Sequence, residues 1–232
     1  MKNFNGFNRI DLLAIVGAGL FFFSCFATTL QTARTKAPGQ AELSAGYMQV
    51  RSMEEFSDPP IQLLGVNGRL GVARNFDAGF EHTFDFSEDN ESYYNTIWGD
   101  VKYQFTNQAN ELNKLTVSSG LVKGYLYKED MNVHRTAIPL YFSLPVNSKV
   151  TPTFMYRYSL ISDGFLSGFE DYDPLHVFSI GAEFCLKEPD PAKWIPKFAV
   201  SVGTIQSFQE GDDGMFLFNF GFKFDSPFKI KE

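Results

Sequence analysis

The residues best placed to do chemistry are charged ones set into alternating stretches. Glu42, Asp77, Glu81, Asp100 and Glu183 supply carboxylates, and Arg69, Lys102, Arg157 and Lys223 supply cations. Each falls on the polar side of a run in which every second residue is apolar. In a β-strand that spacing sends all of them to one face. If the strands close into a barrel, charges of both signs meet in one narrow lumen. They are then expected to pair, because an unpaired charge away from bulk water is costly. Two outcomes are open: a salt-bridged plug that stiffens the wall, or a charged constriction that selects solutes.

The three histidines, His82, His134 and His176, fall near the ends of strand-like runs. A histidine base beside Asp85, Asp173 or Ser179 would be hydrolytic chemistry, but His82 and His176 are expected on opposite faces. Scattered rim histidines are the simpler reading, so no catalytic residue is assigned. No His-x-Glu or Cys-x-x-Cys spacing points to a metal, and no cofactor is expected. Glu170, Asp171 and Asp173, and Glu210, Asp212 and Asp213, form acidic clusters suited to Ca²⁺ or Mg²⁺. No twelve-residue Ca²⁺ loop accompanies them, and they read as solvated loops. The two cysteines, Cys25 and Cys185, exclude a disulfide framework.

The elements that carry these residues are strands. Residues 215–224, MFLFNFGFKF, put phenylalanine at 216, 218, 220, 222 and 224, against Asn219, Gly221 and Lys223. Similar alternation recurs at 41–50, 61–73, 76–86, 93–105, 133–144, 150–160, 175–186 and 197–206, and less cleanly at 114–127. This makes about ten strands, most of the length a tilted membrane strand needs. No helical period is sustained beyond the N-terminal segment. Pro139 and Pro152 sit awkwardly inside strands, since proline removes a ladder donor. One set of connections (51–60, 87–92, 128–132, 162–174, 207–214) is rich in Asp, Glu and Gly. The alternate set (74–75, 107–112, 145–149, 187–196) is mostly shorter.

Composition limits the function classes. Over 232 residues the net charge is −7, which argues against nucleic acid. Phenylalanine is abundant, with 26 copies, and mean hydropathy is slightly negative. A barrel with apolar outer and polar inner faces has such an average. At the N-terminus, Lys2 and Arg9 precede an apolar run at 12–23, which fits the h-region of an export signal and is short for a membrane helix. Residues 1–24 are therefore expected as a signal peptide, 25–39 as a polar periplasmic lead-in, 40–225 as the barrel and 226–232 as a tail.

Two resemblances sharpen this. Phe22-Phe23-Ser24-Cys25 resembles a bacterial lipobox, with Phe22 where leucine is usual, and implies lipidation at Cys25. Cys25-Phe26-Ala27 is the competing site, for ordinary cleavage near 27. Across 40–225 the architecture resembles small porin-like outer-membrane β-barrel proteins of Gram-negative bacteria. Gly221, Phe222 and Phe224 are similar to their C-terminal assembly signal, although Asp225 and seven further residues follow. The resemblance implies an all-β, antiparallel, up-and-down transmembrane barrel of about ten strands (range 8–12). It also implies location in the bacterial outer membrane and a monomeric state. The implied partners are outer-membrane lipid or lipopolysaccharide, the barrel assembly machinery, and a small solute or ion. The function expected is a structural or surface-interaction barrel, or a narrow pore, with a charge-lined, plugged lumen. The alternatives are a rim hydrolase, because omptin-type proteases and lipid A deacylases also place histidine near the outer rim, and a soluble secreted β-barrel or sandwich that binds a ligand.

Overall fold

The computed structural model describes residues 30–54, 59–87, 95–106, 112–128, 131–162, 174–190, 192–207 and 214–227. Ten strands run through them: β1 (Ala41–Ser52), β2 (Ile61–Ala73), β3 (Phe76–Asp85), β4 (Asn95–Gln104), β5 (Thr116–Lys128), β6 (Met131–Ser143), β7 (Val150–Ser162), β8 (Leu175–Cys185), β9 (Ile195–Gln206) and β10 (Met215–Asp225). Each pairs antiparallel with its neighbours in sequence, and β1 pairs with β10 to close the barrel. The connections alternate between a loop end and a turn end, and β1 starts and β10 finishes at the turn end.

The alternation in the sequence sets the two faces. Every strand sends an apolar side chain outward: Leu43, Leu70, Phe80, Val101, Leu121, Ile138, Phe154, Ile180, Val202 and Phe220 all stand exposed, Ile180 at 62%. A continuous apolar belt around a closed barrel far exceeds the patch a soluble monomer tolerates. Such a belt belongs in the hydrocarbon of a bilayer, and ten strands of 10–13 residues suffice to cross it. The soluble sandwich is therefore set aside. No helix among the described residues is long and apolar enough to cross a membrane.

Two details differ from the sequence expectation. The connection at 128–132 shrinks, because β5 and β6 pair as far as Lys128↔Met131; polar side chains do not stop a backbone ladder. Pro139 lies within β6 and interrupts the pairing between Ser119↔Leu140 and Val122↔Ala137. Having no N–H to give, Pro139 offers only its carbonyl, which accepts a hydrogen bond from Ser119 Oγ at 2.7 Å. Between β2 and β3, Asn75 takes a φ of 62°, a left-handed position that asparagine accepts more readily than most residues.

Candidate functional site

The lumen holds a segment that the sequence places outside it. Residues 30–37, LQTARTKA, have no strand or helix period and were expected as part of a periplasmic lead-in. They run instead inside the barrel at its turn end, where Gln31, Thr32, Ala33, Thr35 and Lys36 are buried. We call this segment the luminal strap. Exposed Pro38 and Gly39 turn the chain at the barrel mouth into β1, and Gly39 adopts the φ of +79° that the reversal requires. The turn is tied to β2, since Gly39 N donates to Gly71 O at 2.8 Å and Gly71 N to Gln40 O at 2.9 Å. A side chain at Gly71 would strike the strap, because its Cβ would lie 2.6 Å from the Ala37 carbonyl carbon and 2.7 Å from Lys36 O.

Wall side chains grip the strap mainly by its backbone. Lys223 Nζ donates to Leu30 O at 3.2 Å. Lys102 Nζ donates to Thr32 O at 2.9 Å and to Arg34 O at 3.0 Å. In the other direction, Ala33 N donates to Ser143 Oγ at 2.7 Å, Thr35 N to Gln104 Oε1 at 2.9 Å and Lys36 N to Asp77 Oδ2 at 3.0 Å. Five wall residues from β3, β4, β6 and β10 thus satisfy backbone groups that would otherwise be buried without partners. Among strap side chains, Gln31 accepts from Arg69 Nη2 at 2.9 Å. Ala33 packs into a cluster with Met48, Val50, Tyr141, Met155, Val177 and Leu217.

Lys36 also completes an ionic layer. Its ammonium pairs with Glu42 and, at 2.6 Å, with Asp225. Asp225 and Glu183 share Lys197 at 2.8 and 2.7 Å, and Lys223 joins Glu183 at 2.7 Å to Glu42 at 3.4 Å. A second group is built on Arg69, whose two terminal nitrogens pair with Asp77 and Asp100, while Lys102 stands 3.7 Å from Asp77. The cations Lys36, Arg69, Lys102, Lys197 and Lys223 balance the carboxylates of Glu42, Asp77, Asp100, Glu183 and Asp225. Without Lys36 this layer of the wall is one positive charge short. Outside the barrel wall, the hydrogen bond from Lys149 holds the Glu188 carboxyl below its ordinary range.

Of the residues singled out in the sequence, Glu42, Arg69, Asp77, Asp100, Lys102, Glu183 and Lys223 come together in these two groups. Glu81 and Arg157 are buried in the lumen near these groups, but neither makes an ion pair of 4 Å or less among the described residues. Arg157 Nη2 lies 3.7 Å from Met155 Sδ. Lys197, Asp225 and Lys36 were not singled out. Lys197 and Asp225 share the inward parity of Ala199 and Lys223, so their spacing was the available signal. Lys36 sits in an aperiodic segment and had none. Cys25 lies outside the described residues.

Toward the loop end, further side chains pack inside the barrel. Val122, Ala137 and Trp98 form a buried cluster. Trp98 Nε1 donates to Thr96 Oγ1 at 2.8 Å, and the Arg135 guanidinium lies 5.8 Å from its ring centre.

The histidines stand elsewhere. His82 and His176 were expected on opposite faces, but both point outward, because each shares parity with an outward phenylalanine, Phe84 or Phe178. The His82 ring lies 4.2 Å from that of Phe84. His176 Nδ1 is 2.9 Å from Tyr156 Oη, and His134 packs 4.9 Å from Tyr125. Asp85 and Ser179 face the lumen, across the wall from these rings. Asp173 lies outside the described residues. The histidines therefore belong to an outward aromatic surface.

No protein-family model matches the chain, and no curated protein sequence matches it. Solved structures that resemble it are outer-membrane barrels. The outer membrane protease OmpT from Escherichia coli is 7% identical, with a TM-score of 0.42 over 85% of this chain and 100% of that one. The translocator domain of the autotransporter NalP from Neisseria meningitidis is 10% identical, with a TM-score of 0.41 over 95% of each chain. The N-terminal β-barrel domain of Pseudomonas aeruginosa OprF is 10% identical, with a TM-score of 0.35 over 82% of this chain and 99% of that one. The architecture of this chain rests on its own hydrogen-bond ladders, and likeness of this degree assigns it no activity.

Proposed function

We propose that this chain is a monomeric outer-membrane β-barrel with a closed lumen, serving as a structural or surface-interaction protein and not as an open pore. The observation that carries this reading is the luminal strap, held across the turn end by backbone hydrogen bonds and by Lys36. Side chains close the remainder, as expected of narrow barrels, since open aqueous channels need about sixteen strands. The apolar belt supports insertion in a bilayer. The N-terminal apolar run supports export, with lipidation at Cys25 as the processing step. The partners are outer-membrane lipid, including lipopolysaccharide, and the machinery that inserts barrels.

The test is electrical. Purified wild-type protein in planar bilayers is expected to stay silent to small ions. A large, steady conductance would overturn the closed reading and promote the pore.

A further inference from the structure

We infer that the turn-end lumen is a receptor for an extended peptide, and that residues 30–37 occupy it as a tethered ligand. Six backbone groups of the strap are held by wall side chains, as described above. Those contacts are blind to side-chain identity, so another extended segment offers the wall the same partners. Gly71 keeps open the channel in which the backbone lies, since a Cβ there would fall 2.7 Å from Lys36 O.

Two positions supply selectivity. Ala33 is fully buried among Met48, Val50, Tyr141, Met155, Val177 and Leu217, so a small residue is required there. Three residues on, the ammonium of Lys36 meets Glu42 and Asp225, in a wall layer that lacks one positive charge without it. The ligand class is therefore an extended peptide with a small residue followed, three positions later, by a basic one. Tethering gives the strap a high effective concentration, which hides the site from free peptide in the intact chain.

The experiment uses the full chain. A specific protease site is inserted in the exposed turn between Pro38 and Gly39, and the protein is folded and then cut. A fluorescein-labelled peptide of sequence LQTARTKAPGQ is added, and anisotropy and size-exclusion chromatography follow its exchange with the cut strap. Saturable uptake is expected, at least ten-fold weaker for the peptide carrying K36E or A33W, and retained for one carrying T32V. Where cutting unfolds the barrel, the same peptides are titrated into folded, uncut protein carrying Ala33→Trp and Lys36→Glu, changes confined to the strap that weaken its own seating and leave the wall unchanged. A barrel that stays folded but takes up no labelled peptide overturns the inference, as does uptake indifferent to K36E. This inference does not depend on the closed-pore reading. A conducting wild type sinks the latter and leaves peptide exchange to be judged by anisotropy, and a silent wild type without exchange does the reverse.

Discussion

The inward face of Gly71 lies directly against the backbone of Ala37, with room for a hydrogen and none for a carbon. A glycine within a strand costs conformational entropy and packs nothing, and here, near the end of β2, the vacated space admits the strap. Gly71→Leu is expected to push the strap out of the lumen. Trypsin reports this, because Arg34 and Lys36 lie in the strap. In detergent, wild-type barrel should resist cleavage at both sites, while the variant is cut at least ten-fold faster. Equal resistance would show that the strap seats without that space.

Lys36 links the strap to both ends of the barrel strand order, through Glu42 of β1 and Asp225 of β10. Lys36→Ala strands carboxylates that were buried beside a cation. Removing one partner from a buried pair costs about 3–5 kcal/mol, and Lys197 and Lys223 hold part of the negative charge, so the low end of that range is expected. A urea midpoint unchanged from wild type would show that the remaining cations suffice.

Arg69 and Arg157 are both buried inward arginines, yet they are expected to differ. Arg69 forks between Asp77 and Asp100 and also holds Gln31 of the strap. Arg69→Ala should lower stability by about 3–5 kcal/mol, and Arg69→Lys should rescue little, because a single ammonium cannot reproduce a planar fork. Arg157→Ala breaks no ion pair of 4 Å or less among the described residues and should cost less. Thermal unfolding of the three variants ranks them, and a larger loss at Arg157 would relocate the key contacts toward Glu81.

Ile180, outward on β8 and 62% exposed, tests the lipid face. Ile180→Arg should cost about 2–4 kcal/mol near mid-membrane and reduce assembly, while Ile180→Leu should be neutral. The readout is the folded fraction recovered from lipid vesicles. Equal yields would place water, not hydrocarbon, against this belt.

The wall was legible in the sequence and the strap was not, for one physical reason. A strand in a barrel divides its residues between hydrocarbon and lumen, so Phe216, Phe218, Phe220, Phe222 and Phe224 against Asn219, Gly221 and Lys223 declare the two faces. The strap touches the lumen on all sides and has no outer face, so LQTARTKA carries no period. Its polar groups, backbone and side chain, read as solvated because their partners, such as Gln104, Ser143 and Asp225, lie 69, 110 and 189 residues away. For the histidines, the reading as scattered rim residues stands, and only the expectation that His82 and His176 lie on opposite faces fails. Their types suggest chemistry, but parity settles their direction, and it turns them away from Asp85 and Ser179.

The bond between Lys36 and Asp225 spans 189 residues and joins a segment preceding the first strand to the final residue of the last. Until β10 docks on β1, Lys36 lacks half of its counter-charge and Leu30 O lacks its Lys223 donor. Seating the strap is thus a checkpoint on completed circularisation: a chain arrested at nine strands retains an unlatched, protease-accessible amino-terminal arm. Contacts of such long sequence separation form late and slowly. Acquisition of trypsin resistance at Arg34 and Lys36 would therefore lag behind the appearance of β-structure, timing the moment the hoop is sealed.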